Sequence, residues 1–164
     1  MRTLFIIRHA KSSWEDTSKR DFDRPLNERG LRVAPKMAAL LKNKGVDPDL
    51  LVSSPAKRAL NTALIFAKAF GIPDSEVAQR EEIYEASVQD LLRLISSLPD
   101  TAQTVLLFGH NPTLTDLANR FTDDYIANIP TCGIVKVDTA AISWDKMYEG
   151  NSRVVAKYFP KETL

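Results

Sequence analysis

The sequence has little of what holds soft metals or disulfides together: one cysteine, Cys132, and two histidines, His9 and His110, in 164 residues. A lone cysteine forms no internal disulfide, which fits a reducing cytoplasm. One Cys and two His are also too few for a closed structural zinc site. Charge of one sign is lacking as well, since 22 Lys+Arg against 21 Asp+Glu leave a net +1. That excludes a dominant electrostatic grip on nucleic acid or an anionic membrane, while leaving room for a local basic pocket. No apolar run approaches the roughly 18 residues of a membrane span. The opening run Leu4-Phe5-Ile6-Ile7 is broken by Arg8 too soon to read as a signal peptide. A cytoplasmic protein is expected, with neither membrane nor nucleic acid as partner. At 44% hydrophobic and 26% charged residues, without repeat, linker or low-complexity tract, residues 1–164 read as a single domain.

Leu4–Ile7 reads as a strand buried on both faces. Residues 11–26 have no period and are expected to form a surface loop. Asn27 is a helix N-cap, and Leu31, Ala34, Ala38 and Leu41 recur at helical spacing up to Gly45. Pro35 inside that pattern predicts a kink or a shifted start. Leu50–Val52 is a second strand. Ser53 or Ser54 is expected to cap the next helix, with Pro55 at its first position. Ala59, Thr62, Ala63, Phe66 and Phe70 form its inner stripe, and Gly71 ends it. Val77–Ile83 is a weaker strand. Leu91, Leu92, Ile95 and Leu98 mark a helix closed by Pro99. Thr104–Phe108 is a buried strand leading to Gly109-His110. Asn111 then caps, and Pro112 opens, a helix containing Leu114, Leu117, Ala118 and Phe121. Residues 133–139, 141–144 and 153–159 read as strands. The alternation predicts an α/β fold: three α/β/α layers with a mostly parallel central sheet and an antiparallel element at one edge.

In such sheets ligands bind beyond the carboxyl ends of the strands. Arg8-His9 follows the first strand, Arg58 opens the helix after the second, and His110 follows the Thr104–Phe108 strand. Both histidines of the chain therefore fall at strand carboxyl ends. Arg58, with Lys57 beside it, sits at the positive end of a helix dipole, a cost of roughly 0.3–1 kcal/mol that an anion would offset. Phosphate is a natural candidate.

Competing phosphate chemistries lack their residues. There is no G-x-x-x-x-G-K-[ST] nucleotide loop and no G-x-G-x-x-G dinucleotide fingerprint. No G-x-S-x-G elbow supports a serine hydrolase. Asp138, not an arginine, stands six residues after Cys132, which argues against a cysteine-phosphatase loop. The acidic residues near strand ends are too scattered for metal-assisted hydrolysis. Histidine itself is left as the nucleophile.

Arg8-His9-Ala10 resembles the R-H-G/A signature of the histidine phosphatase superfamily, whose fold is phosphoglycerate mutase-like. Arg8–Trp14 together with Asp23–Gly30 is similar to the small SixA-type phosphohistidine phosphatases within it. Ser53-Ser54-Pro55-Ala56-Lys57-Arg58-Ala59 resembles the second-arginine segment, and Gly109-His110-Asn111-Pro112 the second-histidine segment. The resemblance spans residues 3 to about 122, with four motifs in order. It implies that His9 is the nucleophile that carries a transient phosphoryl group. Arg8 and Arg58 would hold the phosphoryl oxygens, and His110 would complete the clamp. Neighbouring guanidinium groups disfavour protonation of an imidazole and so favour its nucleophilic form. The same groups stabilise charge on the transferring phosphoryl. No metal or other cofactor is implied.

Ala10 stands where glycine is commoner in the superfamily. Many members also carry a general acid between the second arginine and the second histidine, where this chain offers Glu81, Glu82 and Glu85. If none serves, a phosphoramidate is favoured over a sugar phosphate, because its imidazole leaves more readily once protonated. The 51 residues between Arg58 and His110 leave no room for a large capping insertion, so the expected partner is a phosphorylated protein bearing phosphohistidine. The loop with Lys11, Ser12, Ser13 and Trp14 would form the rim, and Ser12 or Ser13 could donate to the phosphoryl group. Alternatives are a histidine phosphatase for a small phosphorylated metabolite and a non-catalytic phosphate-binding domain on the same fold.

Overall fold

Alternating side chains on the first strand face two different cores, and that division organises the protein. In the computed structural model, which describes residues 1–164, β1 (Arg2–Arg8) sends Leu4 and Ile6 into one apolar cluster and Phe5 and Ile7 into another. Each of these side chains is essentially free of solvent contact, which stabilises the fold by about 1.5–3 kcal/mol apiece. The Phe5 side is covered by α1 (Glu28–Asn43) and α2 (Lys57–Ala69), whose Met37, Leu41 and Phe66 fill that layer. The Leu4 side is covered by α3 (Val88–Ser96) and α4 (Thr113–Asn119) through Leu91, Ile95, Leu114 and Leu117. Three layers result, as the alternation of elements predicts.

The sheet contains six strands in the order β3-β2-β4-β1-β5-β6, with β2 at Leu50–Ser53, β3 at Ala78–Gln79, β4 at Thr104–Gly109, β5 at Ile134–Thr139 and β6 at Ser152–Tyr158. β3, β2, β4 and β1 run parallel, whereas β5 and β6 add to β1 as an antiparallel edge. A last short helix, α5, covers Pro160–Thr163. No helix is long and apolar enough to cross a membrane.

Several local expectations need correction. α1 starts at Glu28 despite Pro35 inside it, with Asn27 accepting from the Gly30 amide as predicted, so the proline does not shift the start. Neither Ser53 nor Ser54 caps α2. Ala56 is its N-cap, and Pro55 precedes the helix. The two serines are fully buried and hydrogen-bond locally instead, Ser53 Oγ to the Ser54 carbonyl and Ser54 Oγ from the Ala56 amide. Likewise Pro112 is the N-cap of α4 rather than its first residue, and Asn111 Oδ1 still accepts from the Thr115 amide. The Val77–Ile83 segment keeps only two strand residues before a 3-10 turn at Glu81–Ile83. Residues 141–144 are not a strand. The chain turns there so that Trp144 can enter the core and donate its indole N–H to the Ala102 carbonyl at 2.7 Å.

Candidate functional site

Strand register places the predicted residues side by side. Arg8 pairs with Gly109 across β1 and β4, and Ser53 pairs with Phe108 across β2 and β4. His9 and His110, which follow the first pair, therefore leave the sheet at one level, and Ser54, which follows Ser53, stands one residue lower, on strands about 4.8 Å apart. The backbone continues that order: the His9 amide donates to the Gly109 carbonyl and the Ser54 amide to the Phe108 carbonyl, each at 3.1 Å. The two imidazole rings lie 5.4 Å apart between centroids, tilted by 52°.

His9 is 7% exposed, and its Nδ1 is 2.7 Å from the Ala10 carbonyl oxygen. A carbonyl only accepts, so Nδ1 carries the proton and Nε2 is left with a lone pair when the ring is neutral. Burial, with the charges of Arg58, Arg8 and Arg24, lowers the His9 pKa to about 4 against the backbone hydrogen bond that opposes it. The ring is neutral at pH 7. The following turn is fixed by α2, where Thr62 Oγ1 accepts from the Ala10 amide and donates to the Arg58 carbonyl.

His110 is held by Ser54, whose Oγ lies 2.8 Å from Nε2. The Ser54 hydroxyl has no other acceptor, so it donates to Nε2, and Nδ1 bears the remaining N–H. That Nδ1 is buried without a partner. Burial and the nearby Arg58 charge lower the His110 pKa to about 3. Arg8 Nη1 donates to the Ile129 carbonyl at 3.0 Å, and burial lowers the Arg8 pKa. Arg58 is 6% exposed and donates through Nη1 to the Asp21 carbonyl and through Nη2 to Asp21 Oδ2. The Nε groups of Arg8 and Arg58 are buried and unpaired, like His110 Nδ1. Each orphaned donor costs about 1–3 kcal/mol, and an oxyanion offers the lone pairs that would relieve it.

Sequence reasoning missed three members of this cluster. Arg24, 7% exposed, donates to Ser12 Oγ at 2.8 Å and to Asp21 Oδ1 at 3.2 Å, and its charge acts on His9. Asp21 joins Arg24, Arg58 and the Tyr84 hydroxyl, the last at 2.7 Å. Burial raises the Asp21 pKa, but the Tyr84 hydroxyl and the Arg58 charge outweigh it and leave a net lowering. Tyr84 also sets its ring edge-on to His110 at 5.6 Å. Arg24 does belong to the Asp23–Gly30 stretch that carries the resemblance, so a signal existed. A tyrosine near three glutamates offered none.

The other rim residues fall as follows. Ser12 is buried and accepts from Arg24, while Ser13 Oγ accepts from the Glu15 amide. Trp14 is 69% exposed yet lays its ring over the Arg24 guanidinium at 3.4 Å. Glu82 is paired with Arg80 at the surface, and Glu81 and Glu85 are exposed. None of these three carboxylates bonds to His9, His110, Arg8 or Arg58. The cluster as a whole presents a neutral imidazole lone pair, several unsatisfied donors and an excess of positive charge, which suits it to hold and attack a phosphoryl group.

Comparison with known proteins places the family and the fold. The profile described as histidine phosphatase superfamily (branch 1) matches residues 4–97. An uncharacterized chloroplastic protein of Arabidopsis thaliana is 32% identical over 156 residues, covering 90% of this chain and 71% of its own. The crystal structure of a SixA protein from Agrobacterium tumefaciens is 31% identical with a TM-score of 0.81, covering 97% of this chain and 98% of that one. The protein histidine phosphatase SixA complexed with tungstate is 22% identical and shares the fold with a TM-score of 0.82, covering 98% of each chain.

Proposed function

The chain belongs to the histidine phosphatase superfamily and has the fold of the SixA phosphatases, and we propose that it removes the phosphoryl group from phosphohistidine on a protein. The observation that carries the reading is His9: its Nδ1 is tied to the Ala10 carbonyl, its ring is held neutral, and its Nε2 lone pair is left free among arginines.

In the proposed reaction the phosphoryl oxygens are held by Arg8, Arg58 and the Nδ1–H of His110. The His9 Nε2 lone pair attacks phosphorus, an N–P bond forms, and the P–N bond to the substrate imidazole breaks with its electron pair. The other nitrogen of that ring has taken a proton from solvent before the bond breaks, so the imidazole leaves neutral. Water then attacks the phosphoryl group on His9, releasing inorganic phosphate and returning the lone pair to Nε2. The guanidiniums stabilise the charge on the transferring group in both steps.

The leaving group supports phosphohistidine over an alcohol ester. Asp21 is the carboxylate bonded into the cluster, and with its pKa lowered by Tyr84 and Arg58 it is ionised at neutral pH. An ionised carboxylate donates no proton to an alkoxide, whereas an imidazole leaves after taking a proton on its own ring. The segment between α2 and β4 holds only short turns, β3 and α3, with no inserted cap to enclose a small metabolite.

The test is turnover of a histidine-phosphorylated protein beside a panel of phosphate monoesters, with trapping of the phosphoenzyme. Expected are hydrolysis of the phosphoprotein and an acid-labile, alkali-stable phosphoenzyme missing in His9→Ala. Turnover of monoesters alone rejects the protein substrate. Binding without turnover rejects catalysis, and full activity in His9→Ala rejects the nucleophile.

A further inference from the structure

A cavity of about 380 Å³, walled in part by a segment whose Cys132 amide bonds to the Arg8 and His9 carbonyls, belongs to none of the chemistry above. Lys11, Arg29, Asn128, Thr131, Cys132 and Lys161 contribute to its lining. Four separate parts of the chain meet there: the exit from β1, the first turn of α1, the segment before β5, and α5. The walls are built rather than incidental. The Cys132 amide donates to the carbonyls of both Arg8 and His9, and the Ile129 carbonyl accepts from Arg8 Nη1, so the segment that walls the cavity also anchors the cradle. Lys11 is only two residues from His9, no more than about 7 Å of extended chain. Its carbonyl accepts from the Asn27 amide and lies 2.2 Å from where a Cβ on Gly30 would stand, so the backbone is pinned directly on α1.

The charge lining this cavity is mainly positive, three cations against one carboxylate. Lys11, Arg29 and Lys161 are exposed, and none forms an ion pair, whereas eight ion pairs occur elsewhere in the protein. The one carboxylate on the lining, Glu162, pairs with none of them. We propose that this cavity is a docking subsite for carboxylate side chains flanking the phosphohistidine of the protein substrate. The inference rests on the phosphohistidine reading and extends it to the substrate's neighbouring residues. Charge complementarity selects an acidic segment, and the wall shared with Arg8 puts the subsite within reach of a chain whose phosphohistidine lies over His9.

The experiment uses two synthetic peptides phosphorylated on one histidine, identical except that glutamates on either side in one are glutamines in the other. Phosphoramidate, the smallest P–N substrate, reports on the cradle alone. The full-length protein is compared with Arg29→Gln/Lys161→Gln, two residues outside the proposed catalytic cluster. At low salt the glutamate peptide is expected to exceed the glutamine peptide in kcat/KM by about three- to tenfold, the scale of one or two exposed ion pairs. The difference is expected to fall to less than half in the double variant, which leaves only Lys11, and to vanish at high salt, with phosphoramidate turnover unchanged. Free glutamate should not inhibit glutamate-peptide turnover at concentrations matching the peptide. Equal inhibition would assign the cavity to a small anion and overturn the docking role. Equal rates for the two peptides, or a preference that keeps more than half its size in the double variant, would also overturn it. Failure of the wild-type protein on both peptides would instead reject the phosphohistidine reading, and the subsite with it.

Discussion

Two imidazoles kept neutral by burial and by positive neighbours should make the protein lose stability in mild acid. Above pH 6.5 both histidines are neutral in the folded and the unfolded chain alike. Below it the unfolded chain takes up a proton on each, while the folded chain resists until about pH 4 for His9 and about pH 3 for His110. The folded-state pKa values are depressed, so the stabilisation is full above the unfolded value and is lost as pH falls toward the folded ones. Between pH 7 and pH 5 the loss works out at about 2 kcal/mol for each imidazole and about 4 kcal/mol for both. Against a typical total stability of about 5–15 kcal/mol, that is a large fraction.

Urea unfolding at pH 7 and at pH 5 measures it, with the buried Trp144 as the fluorescent reporter. His110→Gln keeps a group that can bond to Ser54, and His9→Asn keeps one for the Ala10 carbonyl. Each variant should lose only about 2 kcal/mol over the same interval, and the double variant close to none. A wild-type loss below about 1 kcal/mol would refute the neutral-imidazole argument. So would single variants that keep the full wild-type loss, because the protons would then be taken up elsewhere.

Arg58→Ala should lower kcat/KM by at least roughly 10²-fold, the scale of losing one charge-stabilising donor. Near-normal turnover would show that Arg58 serves only to hold Asp21. Trp14→Ala should raise KM by about two- to fivefold, as Arg24 loses a cation–π contact of about 0.5–1 kcal/mol. Trp14→Phe should recover most of that effect, and an unchanged KM in Trp14→Ala would make the contact ornamental. Gly30→Ala should lower the urea midpoint by the equivalent of about 1–3 kcal/mol, because the new Cβ would meet the Lys11 carbonyl oxygen at 2.2 Å. An unchanged midpoint would mean that the loop yields freely.

The parts of the site that the sequence displays are those attached to regular elements. A run such as Thr104–Phe108 declares a buried strand, so whatever follows it must stand at the sheet's carboxyl edge. His9 and His110 are legible for that reason, and Arg58 because α2 announces itself by its apolar stripe. Arg24 and Asp21 stand in an aperiodic loop of mixed charge, where residue type does not tell an inward arginine from a solvated one. Only the fold decides that Arg24 turns in beneath Trp14 while Arg20 stays outside. Ser54 is visible as a polar residue before a helix, but that its hydroxyl accepts from the Ala56 amide and also donates to an imidazole across the sheet follows only from the packing. The misread 141–144 segment is similar: its composition suits a strand, yet a pocket for the Trp144 ring turns it aside.

The loop residues also change how the charge of the site should be understood. Arg8 and Arg58 alone would suggest a cradle with two positive charges. Arg24 adds a third, since its charge acts on His9 together with theirs. Asp21, paired with both Arg24 and Arg58, removes one. The excess is again two positive charges, provided that both imidazoles are neutral, and their lowered pKa values meet that condition at pH 7. A phosphoryl group with two negative charges would bring the cluster to neutrality in an environment where an unbalanced charge is costly. A protonated His9 would have added a third positive charge and blocked the lone pair at once. In the proposed reaction the arginines that hold the phosphoryl group would thus add to burial in keeping the His9 lone pair free. Asp21 limits their combined charge to what that group can neutralise.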